Sequence, residues 1–430
     1  MLVATIRPSR LEGRVDIPPS KSHSLRAILL ASMVRGTSQV RGVLNSPDVA
    51  AMITACRQMG AQIDQNGMDL LIKGVAGQPA VPAGGIDCGN SGQVLRFAAV
   101  MAAFADGTFQ LDGDQSIRTS RPVRPMMEGL NQLGATCVSL SGNDHAPLAI
   151  TGPISAGKIR IDGSDSQPVS AFLMAGAFMK GTTEILVDTP GETPWIGLTL
   201  DWLDRLAVNY TVNEDFTHYT VTGGLPEGFD YIVPGDLSSV AFPIMGAIVS
   251  GGEVEIRNVD LSDKQGDGKL VMVLSALDAK IITEPNKRRL LVSGSGRIDG
   301  GTLDINDYID ALPILAVAGC YAEKVLNLEN CAIARSKECD RLSVMSSELG
   351  KMGADIDERP DQLRIRPKAL NGASVDAHHD HRIAMALAIA ALGATGETHI
   401  SGAEVVNKSY PGFWQHLESL GADVTLKELP

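Results

Sequence analysis

Seven cations lie at or near the starts of recurring helical segments in a chain whose net charge is −13: Lys21, Arg26, Arg121, Lys337, Arg341, Arg382 and Lys408. The first two belong to Ile17-Pro-Pro-Ser-Lys-Ser-His-Ser-Leu-Arg26. Pro18 and Pro19 end an extended segment, Ser20 to Ser24 are capping residues, and Leu25 to Met33 reads as an apolar helical run. A helix N-terminus already favours an anion through its unpaired N–H groups and dipole, so a cation there is locally unfavourable. Two cations at one such end, Lys21 and Arg26 beside Ser22, point to an anionic ligand. The other starts read Gly89-Asn-Ser-Gly-Gln-Val-Leu-Arg96, Gly163-Ser-Asp-Ser-Gln167, Asp236-Leu-Ser-Ser239, Asp307-Tyr-Ile-Asp310 and Asp380-His-Arg382. Second helices open at Thr119-Ser-Arg-Pro122, Ser336-Lys-Glu-Cys-Asp-Arg341 and Asn407-Lys-Ser-Tyr-Pro411. Brought together, these residues make a positive cleft in a negative protein. That is an electrostatic funnel for small, highly charged anions.

Each piece has a plainer reading. Gly89-Asn-Ser-Gly92 could be only a turn, Asp310 only an N-cap, and Lys337 and Arg341 surface partners of Glu338. His378-His-Asp-His381 invites a metal, but there is no H-E-x-x-H spacing and no cysteine pair, so no metal is expected. Neither a G-x-x-x-x-G-K-[ST] loop nor a G-x-G-x-x-G fingerprint is present, which disfavours nucleotides. Each plain reading is fair alone; their joint occurrence at equivalent points of one repeat is not explained by them.

The elements that must position these residues repeat. Leu/Met-Gly-Ala-x-apolar closes a helix and opens a strand at Met59-Gly-Ala-Gln-Ile63, Leu133-Gly-Ala-Thr-Cys137, Met352-Gly-Ala-Asp-Ile356 and Leu420-Gly-Ala-Asp-Val424. Weaker copies are Leu206-Ala-Val-Asn-Tyr210 and Leu277-Asp-Ala-Lys-Ile281. Glycine there suits the left-handed residue that ends a helix. Small-residue apolar helices precede each copy, beginning near Ser22, Ser91, Ser166, Ser238, Tyr308 and Asp380, and their composition implies burial on every side. The period of roughly 70 residues is longer than a solenoid's. Six strand–helix–strand–helix subdomains in two halves of three are therefore expected. If Pro18-Pro19 and Val233-Pro-Gly-Asp236 are hinge crossings (near 19–21 and 233–236), one domain comprises residues 1–19 and 236–430. The other is 20–235, and a first strand over residues 3–17 belongs with the C-terminal half. Two halves joined this way can close on a ligand between them.

At 430 residues, 44% hydrophobic and 20% charged, the chain reads as globular with two or three domains. The negative charge argues against nucleic acid and anionic membranes. Six scattered cysteines suit reduced thiols of a cytosolic enzyme. The N-terminus has no signal character, and the longest apolar run, Ile383 to Leu392, is far short of the ~20 residues that span a bilayer. A cytoplasmic protein that binds no membrane, working as a monomer, is expected.

The ordered set Pro19-Ser-Lys-Ser with Arg26, Gly89-Asn-Ser-Gly with Arg96, Arg121-Pro122, Lys337-Glu-x-x-Asp-Arg341, Asp380-His-Arg382 and Lys408-x-x-Pro411 resembles the signatures of the EPSP synthases. The resemblance runs from residue 19 to 412. It implies an α/β fold, the two-domain inverse α/β barrel of enolpyruvyl transferases, with three βαβαββ units per domain. It also implies transfer of the enolpyruvyl group of phosphoenolpyruvate to the 5-hydroxyl of shikimate 3-phosphate, without metal or organic cofactor, at a site targeted by glyphosate. By matching position, Lys21, Ser22 and Arg26 would hold shikimate 3-phosphate, Lys21 also reaching phosphoenolpyruvate. Ser164, Ser166 and Gln167 would bind the 3-phosphate side, with Asp310 and Lys337 also on this substrate. Gly92, Arg121, Gln167, Arg341, Arg382 and Lys408 would clasp phosphoenolpyruvate. Asp310 would accept the hydroxyl proton and Glu338 protonate the methylene carbon, with Asn90, Arg96, Trp195 and His381 in support. Carboxylates among many cations stay ionised, so Asp310 is available as an acceptor, and fixed cations stabilise charge developing on a tetrahedral intermediate.

The chain departs from the family's pattern in places. Gln93 stands where threonine is usual, and the Gly163–Gln167 loop is one residue shorter, leaving Ser164 and Ser166 as alternatives. Glu192-Thr193 precedes Pro194-Trp195 where a serine or arginine often serves the phosphate, so that contact is expected to be missing or rearranged, with Trp195 offering a ring wall. Ile333 replaces a polar ligand residue of some members. The sister transferase acting on UDP-N-acetylglucosamine would carry a reactive cysteine near Arg121 and Lys-Asn in place of Lys21-Ser22. A non-catalytic phosphosugar-binding protein would explain the cations but not Asp310 and Glu338.

Overall fold

The computed structural model describes residues 1–428. The chain forms two compact units, one split between Met1–Pro18 and Pro234–Pro430 and one central, Pro19–Val233. Each unit holds three four-stranded sheets of one pattern, in which an outer strand runs parallel to its neighbour and two further strands follow antiparallel. In the central unit, for example, Lys158–Asp162 lies parallel to Gly181–Asp188, which pairs antiparallel with His218–Gly223.

Three apolar helices form the core of each unit. In the central unit these are Lys21–Met33, Gly92–Ala102 and Ser166–Gly176; in the split unit, Leu237–Ser250, Leu312–Cys320 and His381–Leu392. Their apolar residues are almost fully shut off from solvent, because small side chains on every face let neighbouring helices and three sheets pack closely. Five of the six carry a side-chain N-cap: Ser20, Ser91, Asp165, Asp236 and Asp380.

All six helix-to-strand junctions of the repeat use a left-handed residue. Gly60, Gly134, Gly353 and Gly421 have φ of 94° to 99°, and the weaker copies adopt the same form with Ala207 at 52° and Asp278 at 66°. The backbone geometry of the junction thus persists where its glycine does not.

Several expectations need correction. Residues 3–17 are not one strand. Leu2–Arg7 and Glu12–Asp16 lie in different sheets of the split unit, because Pro8 interrupts the run. The first core helix begins at Lys21 rather than among later serines, since Ser20 already caps it. Asp310 caps no helix: it lies in the 3₁₀ segment Asn306–Ala311, kinked at Tyr308, ahead of Leu312–Cys320. Arg121 falls between the short helix Gln115–Thr119 and the helix Arg124–Gln132, with Pro122 and Pro125 setting the break. Lys337 and Glu338 precede the helix Arg341–Lys351, and Lys408 ends a 3₁₀ turn, Ala403–Lys408, ahead of Phe413–Ser419. No helix among the described residues is long and apolar enough to cross a membrane.

Candidate active site

In the split unit the structure gathers charged residues from four segments around Arg341, which is 1% exposed. Its Nη1 donates to Asp310 Oδ1 at 2.7 Å, its Nη2 to Glu338 Oε2 at 2.8 Å, and its Nε to Asp380 Oδ2 at 2.7 Å. Asp380, fully buried, also caps its own helix by accepting from the Arg382 N–H at 2.8 Å. Arg382 Nη2 donates to Asp310 Oδ2 at 2.9 Å, and Lys408 Nζ to Glu338 Oε1 at 2.8 Å. Lys337 is buried and its charge acts on Asp310. Surface pairing of Lys337, Glu338 and Arg341 is therefore ruled out by their burial.

The electrostatics follow from this packing. Burial alone would push the Asp310 carboxyl up, but Arg382, Arg341 and Lys337 more than offset it and hold the group well below the usual carboxylate range. Burial works against the Arg341 charge, and Asp380, Glu338 and Asp310 overcome it, raising its pKa well above the ordinary value. Asp310 nevertheless keeps 26% of its side chain exposed, so it is both ionised and reachable. His381 is buried with Nδ1 3.7 Å from Asp380 Oδ1, and His378 bonds Glu348 instead, so the histidine run does not converge. Cys339 Sγ stands 3.7 Å from Asp380 Oδ2; burial and that carboxylate push its thiol up, which removes it as a nucleophile.

The central unit carries a second cluster at its helix starts. Lys21 Nζ lies 3.7 Å from Asp48, which also accepts the Ser91 hydroxyl at 3.0 Å. Ser22 accepts from Gln93 Nε2 at 3.3 Å. Arg26, 1% exposed, spends its donors on neutral oxygens: Thr199 Oγ1 at 3.1 Å, the Ser22 carbonyl at 3.3 Å and the Trp195 carbonyl at 3.5 Å. Its guanidinium also stands 5.0 Å from the Phe97 ring centre. No carboxylate of the described residues pairs with it, and burial lowers its pKa to about 9. A buried cation lacking a counter-charge is costly, and an incoming anion relieves that cost.

Gly92, Arg96, Arg121 and Gln167 also converge. Arg96 Nη1 donates to Gln167 Oε1 at 3.2 Å and its Nη2 lies 2.9 Å from Asp165. A Cβ on Gly92 would sit 2.9 Å from Arg96 Nη1 and 3.1 Å from Arg121 Nη1. The glycine therefore lets two guanidinium groups approach the start of the Gly92–Ala102 helix. Asn90 donates to Asp114 at 2.5 Å and Ser116 at 2.8 Å.

Both serines of the shortened loop bond carboxylates. Ser166 gives both its N–H (3.1 Å) and its hydroxyl (3.0 Å) to Glu192 Oε2, so this buried carboxylate is satisfied at a helix start. Glu192 reaches it from a left-handed backbone, φ 48°. Ser164, half-buried, donates its hydroxyl to Asp162 at 2.9 Å. Trp195 is 8% exposed and contributes its carbonyl to Arg26; Ile333 packs on the apolar core.

Sequence reasoning passed over Asp48, Thr199 and Asp165, and gave Asp380 no role. Ser46-Pro-Asp48 opens a second helix with an N-cap and an N1 proline, and that signal could have placed Asp48 with the other helix starts. Asp165 lay within the Gly163-Ser-Asp-Ser-Gln167 helix start, whose cap it is, whereas Thr199 offered no comparable signal.

The family model described as EPSP synthase (3-phosphoshikimate 1-carboxyvinyltransferase) matches residues 6–417. A 3-phosphoshikimate 1-carboxyvinyltransferase of Chlamydia caviae is 42% identical over 99% of this chain and 95% of its own. One of Acetivibrio thermocellus is 38% identical over 99% of this chain and 100% of its own. A solved EPSP synthase from Acinetobacter baumannii superposes with a TM-score of 0.82 at 26% identity, covering 100% of both chains.

Proposed function

The chain belongs to the EPSP synthase family, and from that premise we propose which of its residues carry the reaction. The reaction is transfer of the enolpyruvyl group of phosphoenolpyruvate to the 5-hydroxyl of shikimate 3-phosphate, with release of phosphate. In it the hydroxyl oxygen adds to C2 of phosphoenolpyruvate while C3 gains a proton; loss of phosphate and of a C3 proton then gives the enol ether.

Arg341 carries the assignment: one buried guanidinium holds Asp310, Glu338 and Asp380 together, with Arg382 and Lys408 completing the ring. Asp310 accepts the 5-hydroxyl proton. Its depressed pKa makes it a weak base in the free protein, and it strengthens as Arg341 and Arg382 turn to the phosphate and carboxylate of the donor. Glu338, between Lys408 and Arg341, takes up a proton as those cations turn to the donor, delivers it to C3, and regains one from C3 as phosphate leaves. Lys337 and Lys408 balance the charge that develops on the tetrahedral intermediate.

Lys21, Ser22 and Arg26 bind shikimate 3-phosphate, and Arg121 with Gln167 and the open helix start at Gly92 receive phosphoenolpyruvate. Arg96 positions Gln167, and Trp195 positions Arg26. The split unit supplies the acid and the base. Arg26 supports an anionic acceptor, because its burial without a carboxylate is relieved by one.

Phosphate release tests the assignment. It is expected only when phosphoenolpyruvate and shikimate 3-phosphate are present together, with the enol ether formed one-for-one. Release from phosphoenolpyruvate with UDP-N-acetylglucosamine, or binding of both substrates without turnover, would overturn it.

A further inference from the structure

Close to Arg382 and Asp310 lies a carboxylate that the reaction described above leaves unused. Asp267 sits on the short turn Gly266–Gly268 and is 1% exposed. The turn is held to the start of the Leu237–Ser250 helix by Gln265, which accepts from the Leu237 N–H at 3.0 Å and donates to the Gly235 carbonyl at 2.9 Å. Lys269, just after the turn, donates to Asp307 at 2.5 Å and so ties it to the segment bearing Asp310. Asp267 Oδ2 accepts the Ser238 hydroxyl, while Oδ1 is closed off from solvent and accepts no hydrogen bond.

The charged groups acting on Asp267 come from three neighbouring elements. Arg382 comes from the His381–Leu392 helix, Asp310 from the Asn306–Ala311 segment and Asp236 from the cap of the Leu237–Ser250 helix. Arg382 is the one cation among them, and it donates its hydrogen bonds to Asp310. Two carboxylates that share a cation titrate apart: the better-served one stays ionised and the other holds the proton. Asp310 is the better served. Burial pushes the Asp267 carboxyl up to about 7, with Arg382 opposing and Asp310 and Asp236 adding to the rise.

We propose that Asp267 is a positioning residue that takes a proton from solvent when the anionic donor binds at Arg382 and Arg341, and returns it when phosphate leaves. The donor's negative charge engages Arg382, so that cation no longer offsets an ionised Asp267. Protonating Asp267 Oδ1 removes the repulsion and leaves Arg382 to Asp310 and the donor alone. The proton goes from bulk buffer to a carboxylate oxygen, and no other bond changes. This inference rests on the enolpyruvyl-transferase reading of the site.

The test compares the wild type with Asp267→Asn, an isosteric and permanently neutral side chain. KM for phosphoenolpyruvate is measured from pH 6 to 9 at saturating shikimate 3-phosphate. The donor's own ionisation is common to both proteins, so the ratio of their KM values isolates Asp267. That ratio is expected to change by about tenfold over the range, the equivalent of a one-unit pKa rise on binding, with its midpoint between about pH 7 and 8. A merely structural role would leave the two pH profiles parallel, and parallel profiles overturn the proposal. A second measurement needs no variant: sulfate, which does not titrate in this range, is bound to the wild type at pH 8 in buffers of different ionisation enthalpy. Net proton uptake at saturation is expected, and none would overturn the proposal. Failure of the wild type to release phosphate from the two substrates at any pH would instead reject the underlying reading.

Discussion

Replacing Gly92 by alanine tests the donor site most directly, because the structure fixes what the added methyl meets. The Cβ would lie 2.9 Å from Arg96 Nη1, 3.1 Å from Arg121 Nη1 and 3.4 Å from Gln167 Oε1. Ordinary contact begins near 3.4 Å, so Arg96 would have to withdraw by about half an ångström and Arg121 by about a third. Arg96 is poorly placed to move. Its Nη1 is bonded to the Gly92 carbonyl at 3.4 Å and to Gln167, and its Nη2 to the Pro122 carbonyl at 2.9 Å and to Asp165. The displacement therefore falls on Arg121 and on any ligand it holds. A hydrogen bond to a charged group contributes ~1.5–3 kcal/mol, so loosening one weakens binding by roughly 10- to 150-fold.

Which ligand suffers more depends on how fully it fills the site. Glyphosate competes with phosphoenolpyruvate in this family, and a ligand spanning the pocket end to end has less room to shift than the shorter substrate. The wild type is expected to be glyphosate-sensitive, since the Gln93 amide is held toward Ser22 by a 3.3 Å bond. Gly92→Ala is expected to raise the inhibition constant more than ~10-fold, above ~1.4 kcal/mol, with a smaller fall in phosphoenolpyruvate affinity. Steady-state inhibition against varied phosphoenolpyruvate in both proteins is the assay. Equal inhibition constants would refute the placement of Gly92 beside the donor.

Asp310→Asn should lower turnover by ~10²–10⁴ while shikimate 3-phosphate still binds, as rapid-quench and binding measurements would show; near-normal turnover refutes it. Because the Asp310 pKa is depressed on folding, its contribution to stability is present above its unfolded pKa of ~3.9 and is lost as pH falls toward the folded value. Acid unfolding of Asp310→Asn should lack that component. Arg26→Met should raise the thermal midpoint of the unliganded protein while abolishing turnover, since it replaces a buried cation that no carboxylate serves; a lower midpoint would mean the cation is there for the fold. Glu192→Ala should cost ~1.5–3 kcal/mol in urea unfolding by orphaning the Ser166 N–H and hydroxyl, and an unchanged midpoint would show that water replaces the carboxylate. Small-angle scattering should report compaction when shikimate 3-phosphate saturates the protein, and identical profiles would reject closure.

The helix starts were readable because three independent signals coincide there: a cap, an apolar run, and a cation out of keeping with both. Ser20, Ser91 and Asp380 each supply the first of these. The 3₁₀ segments were not readable in the same way. Asn306–Ala311, Ala332–Ser336 and Ala403–Lys408 are too short to show a period, so Asp310, Glu338 and Lys408 looked like parts of the helices they precede. Glu192 was hard to place for a different reason. Its charge suggested a clash with phosphate, whereas its partner, Ser166, lies 26 residues earlier and is brought to it by folding alone.

Burial separates the two meanings a cation at a helix start can have. Arg341 and Arg26 are equally hidden, each 1% exposed, and from sequence each could be read as a solvated surface residue. Arg341 is hidden among three carboxylates, an arrangement that stands without a ligand and holds Asp310 and Glu338, the proposed base and acid, in fixed orientations. Arg26 is hidden among carbonyl, hydroxyl and ring, which orient the guanidinium and leave its charge unbalanced. The difference follows from what each must do. A group that shapes acid–base chemistry is kept in a neutralised network, and a group that captures an anion is kept in deficit until the anion arrives. Asp267 is the converse of Arg26: a buried carboxylate whose Oδ1 lacks a partner, acted on by Arg382, the cation proposed to engage the donor. Sequence patterns give the positions of such groups. Whether each is balanced depends on side chains drawn from distant segments, and only the fold settles it.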